Sequence, residues 1–201
     1  MLSESFMFAA IFLVVAGNAR YAVAAYKGDI HPNIVSWVLW GVAPIVTFLV
    51  QQGDSAAMQR YLSLFAGITP LVIVAVALLK SHSSFKVSRL DIVCAAISIA
   101  AIVAWIFTKQ GNLPILLSIA AGTAAGIPTA IKAFHKPYSE NRTPFLFGAI
   151  AAIITLLTLT SLTFKTAAFA FYLVLSNCVI YGLIVARRKH HSMAHPATAN
   201  S

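Results

Sequence analysis

Long apolar runs alternate with short polar breaks along most of this chain. A helix needs about 20 mostly apolar residues to cross a bilayer. Seven runs approach that length, at roughly 5–26, 33–51, 61–79, 90–108, 113–133, 143–163 and 167–186. The breaks carry the charge and the turn residues: Lys27-Gly28-Asp29, Gly53-Asp54, Lys80 to Arg89, Lys109 to Asn112, His135 to Arg142, and Lys165. Such short connections make successive helices antiparallel neighbours. The start of the chain carries Glu4 and no basic leader, so it reads as a retained first helix rather than a signal peptide. From Arg187 the chain turns polar, and residues 187–201 are expected to be a disordered basic tail.

One stretch reads as if written twice. Shifted by 108 positions, Tyr26–Val50 lies on Phe134–Thr158 without a gap, and Asn33 falls on Asn141, Ala43 on Ala151 and Thr47 on Thr155. Each copy is a short polar linker leading into an apolar helix. A duplication within a membrane chain points to a transporter fold. The expected architecture is an all-α membrane protein of seven transmembrane helices, arranged as 3+1+3. Residues 1–80 form the first triplet, 81–112 an inverting linker helix, and 113–186 the second triplet. An odd number of helices gives the triplets the same orientation, as parallel repeats.

Composition supports the membrane reading. The chain is 60% hydrophobic and only 9% charged, against about 25% charged residues in soluble domains. Its net charge of +9 sits in clusters between the apolar runs, not in a groove for nucleic acid. Cys94 and Cys178 lie inside apolar runs and read as small buried hydrophobes. No HExxH, GxSxG or P-loop pattern occurs, which points away from an enzyme. His190, His191 and His195 sit in the tail and offer no metal geometry, so neither metal nor cofactor is expected.

The stretch Pro128-Thr129-Ala130-Ile131-Lys132-Ala133-Phe134-His135-Lys136 is similar to the Pro-Gln segment and basic run of the PQ-loop superfamily. With the seven-helix pattern, nearly the whole chain to Ala186 resembles that superfamily and its SWEET sugar transporters. Thr129 stands where the family has Gln, and Arg20-Tyr21 occupies the matching place in the first repeat. The resemblance implies a small-solute transporter working by alternating access, with Pro128 as a hinge. It also implies that Asn177, near the middle of helix 7, hydrogen-bonds solute. Thr69 holds the corresponding place in helix 3.

Other candidates come from the residues themselves. Thr47 and Thr155 are matched mid-helix hydroxyls, and Asn18 lies beside Gly17 in helix 1. With Asn177 and Thr69 they form the candidate pocket, because buried amides and hydroxyls suit a neutral polar solute. Gly122 and Gly126, one turn apart, allow close helix contact before the Pro128 kink. Trp37 and Trp40 read as an interfacial girdle. Arg20, Glu140 and Arg142 are candidates for an inner gate. Asn33 is a candidate cap for helix 2, and Ser139, Asn141 or Thr143 for helix 6. No helix interior carries Asp or Glu, so facilitated diffusion is simpler than proton coupling. Arg187-Arg188-Lys189 is placed to meet anionic lipid. Self-association as a homo-oligomer is left open, and a receptor or assembly factor on the same scaffold is the alternative. Short loops and compact size suggest a bacterial inner membrane.

Orientation follows from Lys and Arg. With the N-terminus outside, 11 of these residues lie inside and 3 outside, as the positive-inside rule demands. A reporter active only in the cytoplasm, fused after Ser201, is expected to be active. The same reporter in the Lys109–Asn112 break should be silent, and the reverse result would invert the topology.

Overall fold

A computed structural model describes residues 3, 5–50, 57–79, 87–108, 112–159 and 162–194. Every regular element among them is helical: α1 (Phe6–Lys27), α2 (Ile34–Val50), α3 (Ala57–Leu79), α4 (Arg89–Thr108), α5 (Leu113–His135), α6 (Thr143–Thr158) and α7 (Phe164–Ala194). A single 3-10 turn, Pro137–Ser139, joins α5 to α6. The helices fall where the apolar runs predict them, except that α3 begins at Ala57 rather than 61, α7 begins at Phe164 rather than 167, and two C-terminal ends differ. The sixth was expected to reach 163, but it ends at Thr158, where Leu159 turns extended. The seventh was expected to end near Ala186, yet it continues to Ala194. Residues 187–194 are therefore helix rather than disordered tail.

The helix ends explain the boundaries. Gly28 closes α1 at φ 82°, and the amides of Gly28 and Asp29 return to the carbonyls of Ala25 and Ala24. That is the left-handed glycine cap, which a residue with a Cβ adopts only at a cost. Asn33 caps α2 by accepting the Ser36 amide at 3.0 Å. Asn141 does the same for α6 by accepting the Thr143 amide at 2.9 Å. Ser88 and Asp91 form a reciprocal capping box on α4, since each side chain accepts the other residue's backbone amide.

Among the described residues, four spans are long and apolar enough to cross a membrane: Phe6–Lys27, Tyr61–Leu79, Ile115–His135 and Ala167–His190. Helix α6, at 16 residues, spans about 24 Å at 1.5 Å per residue. Large apolar side chains cover much of the outside, including Phe12, Leu79 and Phe107. Water would penalise such a surface and lipid would not. Cys94 is buried as expected, whereas Cys178 faces outward from α7.

Short connections predict that successive helices are neighbours, yet among the described residues α1 does not pack along α2, nor α3 along α4, nor α5 along α6. Helix α3 packs against both α1 and α2, and α7 packs against both α5 and α6. The two groups meet along two seams, α1 against α6 and α2 against α5. Helix α4 lies on α5 and, to a lesser extent, on α2. Its Ser98 hydroxyl donates to the Cys94 carbonyl at 2.8 Å and approaches the Ala121 carbonyl on α5 at 2.9 Å.

Glycines set the closest crossings. A Cβ on Gly67 would stand 2.5 Å from Ile45, 2.9 Å from the Gly41 carbonyl oxygen and 3.0 Å from the Ile45 amide nitrogen. A Cβ on Gly182 would meet nothing within 4 Å. Gly67→Ala is therefore expected to lower the thermal midpoint in detergent, at a cost of about 1–3 kcal/mol from overpacking. Gly182→Ala should leave it unchanged or raise it, by up to about 1 kcal/mol, because a helical glycine is replaced in open space. Equal midpoints for the two variants would contradict the crossing.

Candidate functional site

The linkers after α1 and α5 meet at one end of the bundle, where the His31 amide donates to the Ser139 carbonyl at 3.2 Å. That contact carries Glu140 into the core, and its side chain is fully buried. Glu140 Oε2 accepts the Tyr21 hydroxyl of α1 at 2.5 Å. Its Oε1 pairs with Lys132 Nζ of α5 at 2.8 Å. Lys132 also donates to the His31 carbonyl. Arg188 of α7 donates Nη2 to the Glu140 carbonyl at 2.5 Å and Nε to the Pro137 carbonyl at 3.0 Å. Burial pushes the Glu140 carboxyl above its ordinary range, while Lys132, the Tyr21 hydroxyl and Arg188 pull it back.

Glu140 thus takes other partners than the expected Arg20 and Arg142. Arg20 and Arg142 are exposed, and neither bonds to the Glu140 carboxylate. Arg20 precedes Tyr21, and neighbours on a helix point about 100° apart, so an inward Tyr21 turns Arg20 out. Two cations of the C-terminal cluster are also engaged with protein. Arg187 donates to the Phe134 carbonyl at 3.0 Å and lies 4.2 Å above the Phe134 ring. Arg188 sits 5.2 Å from the Tyr138 ring. These contacts explain why the helix continues past Ala186, and they leave Lys189 as the exposed member of the cluster.

Above this knot lies an aromatic stack. The Trp37 indole donates to Tyr21 Oη at 3.3 Å, and the two rings are 4.5 Å apart. Trp40 stands edge-on to Trp37 at 5.4 Å and to Phe145 of α6 at 6.2 Å. Trp37 is only 3% exposed, so it is a core residue and not part of an interfacial girdle. Trp40 donates its indole N–H to the Gly122 carbonyl of α5 at 3.4 Å.

The candidate pocket residues divide between the two groups of helices. In the first, Asn18 donates to Thr69 Oγ1 at 2.6 Å, and Thr69 donates to its own Phe65 carbonyl at 2.8 Å. In the second, Asn177 donates to Leu173 at 2.8 Å and faces Gly148, where a Cβ would meet its Oδ1 at 2.8 Å. Thr155 donates to its own Ala151 carbonyl at 2.9 Å. The side chain of Thr47 lies outside the described residues, as do those of His191 and His195. Asn18 and Thr69 are thus brought together, whereas Asn177 and Thr155 donate within their own helices.

The glycines before Pro128 serve rings rather than backbones. A Cβ on Gly122 would stand 2.5 Å from the Tyr172 hydroxyl, and one on Gly126 would stand 3.4 Å from the Trp40 ring. Tyr172 of α7 hydrogen-bonds Ser176 and Thr123. The polar group around Gly122 is therefore Trp40, Tyr172, Thr123 and Ser176. Sequence reasoning missed Tyr172, although a tyrosine placed mid-helix, with a serine one turn on, was a usable signal.

No family model, no curated protein and no solved structure matches this chain.

Removing one partner of a buried ion pair strands the other, at a cost of roughly 3–5 kcal/mol. Glu140→Ala is expected to lower the thermal midpoint in detergent strongly, towards the lower end because Lys132 is 20% exposed. Arg142→Ala should change stability by no more than about 0.5 kcal/mol. Comparable losses in both variants would restore Arg142 to the gate.

Proposed function

We propose that this chain is a membrane transporter of a small polar solute, with seven spanning helices in two like-oriented triplets. The observation that carries the reading is the neighbour pattern of the helices. Exchanging α1, α2 and α3 with α5, α6 and α7 maps the pairs α1–α3, α2–α3 and α1–α6 onto α5–α7, α6–α7 and α5–α2. A parallel repeat related by an axis along the membrane normal has this property. The shift of 108 adds support, because it places Asn18 on Gly126, Trp40 on Gly148 and Thr69 on Asn177. The first two places hold a glycine in one half and a larger side chain in the other, and the third holds a polar side chain of similar size in both.

In this reading the solute binds between the halves, near Trp40, Tyr172, Asn177 and the Asn18–Thr69 pair. Trp40 supplies a ring face and an N–H, and the amides and hydroxyls supply neutral hydrogen-bond partners. The Glu140–Lys132–Tyr21 knot closes the cytoplasmic end, and Pro128 lets α5 bend when that end opens. The membrane is a bacterial inner membrane, and exposed Lys189 is a contact for anionic lipid. A non-transporting receptor on the same scaffold is favoured by one observation: Asn18 and Thr69 already satisfy one another.

Purified protein in liposomes, tested with sugars, amino acids and small acids, is expected to pass at least one of them without an imposed ion gradient. Asn177→Ala should raise the half-saturation concentration about threefold to tenfold, the loss of one neutral hydrogen bond. Tyr172→Phe should act in the same direction. Flux of no panel member would favour the receptor. A flux indifferent to Trp40→Ala, Tyr172→Phe and Asn177→Ala would move the site elsewhere.

A further inference from the structure

Most hydroxyls described within these helices have an obvious acceptor one turn back. Thr69 donates to Phe65, Ser98 to Cys94, Thr123 to Ile119 and Thr155 to Ala151. Ser36 of α2 and Thr129 of α5 differ. Both are fully buried, and neither hydroxyl oxygen has a hydrogen-bond partner among the described residues. Buried polar groups are nearly always satisfied by protein, ordered water or ligand. Two such exceptions on the facing helices of one seam call for a common explanation.

Their heights along the seam agree. Trp40 lies one turn beyond Ser36 on the same face of α2, and Gly126 and Lys132 lie three residues either side of Thr129 on one face of α5. Trp40 meets Gly126 on one side of the pair. Lys132 meets the His31 carbonyl, just ahead of α2, on the other. Ser36 and Thr129 therefore lie at matching heights between these two contacts, on two helices that pack against each other. The second seam is built differently: on α1, Gly17 is closed in by Pro144 and Phe147 of α6, both 3.1 Å from where its Cβ would be.

We propose that Ser36 and Thr129 form a binding subsite for one neutral hydroxyl group, held between the halves beneath Trp40. Each side chain offers one donor and a free acceptor, so a single hydroxyl that both gives and takes a hydrogen bond satisfies the pair. The group has two sources, a resident water molecule or the hydroxyl of a polyol-like solute. Only the second rests on the transporter reading.

The test uses the full chain with Ser36→Ala, Thr129→Val and the double variant. If a resident water bridges the pair, each single variant lowers the thermal midpoint in detergent and the double lowers it no further, because either change breaks the bridge. Thr129→Ser keeps the hydroxyl and loses only a buried methyl, so it should lower the midpoint less than Thr129→Val. If a solute supplies the group, the half-saturation concentration for radiolabelled mannitol in liposomes rises about threefold to tenfold in each single variant. Urea uptake, which needs no hydroxyl, then stays as it was. Single variants that are neutral or stabilising, with mannitol uptake unchanged, overturn the subsite, since apolar replacements of idle hydroxyls behave in that way. A non-additive loss of stability in a protein that carries no panel solute keeps the subsite and removes the transporter reading alone.

Discussion

A carboxylate withdrawn from water has to be answered by its surroundings, and Glu140 makes much of this fold the answer. An unpaired charge in a low-dielectric interior costs far more than any one contact returns. Here Tyr21, Lys132 and Arg188 converge on that single residue from α1, α5 and α7. Trp37 of α2 joins through Tyr21. One short linker therefore fixes the relative height of four helices, whose apolar faces alone would allow sliding. Hydrophobic packing in lipid is weakly directional, so registration falls to polar groups and small residues.

Much of the helical layout was legible because hydropathy and capping are local properties. The seven runs predict seven helices, Asn33 is the cap expected for α2, and Asn141 is the one of three candidates that bonds the start of α6. What escaped depends on distant partners. Glu140 sits in a polar loop-like stretch, and nothing nearby in sequence announces that Tyr21, 119 positions earlier, will accept it into the core. Arg187 and Arg188 look like a solvated tail until the end of α5 and the turn after it are seen to present the Phe134 and Pro137 carbonyls to them. Trp37 looks interfacial because helix ends usually are, yet the linker folds over it.

The candidate pocket divides in the same way. That Asn18 and Thr69 are polar positions within apolar runs was readable, but the packing of α1 on α3 and their mutual bond were not. Mid-helix hydroxyls such as Thr155 have the backbone one turn back as a constant competitor, so a polar residue in an apolar run is a weak indication of a wet site. Ser36 and Thr129 are informative because they decline that local option. The glycines repeat the lesson. Gly122 and Gly126 carry the spacing of a helix-contact motif, but the space they leave is taken by a tyrosine and a tryptophan.

The last helix runs on to Ala194, eight residues past the expected end of the span. At 1.5 Å per residue those residues add about 12 Å. Because Arg187 and Arg188 bolt its base to the α5–α6 turn, the extension is a stiff mast rather than a tether. Whatever displaces that turn must swing the mast with it, so a small rearrangement at its foot becomes a larger excursion at its tip. A binding partner gripping the mast would, through the same leverage, feel the state of the bundle.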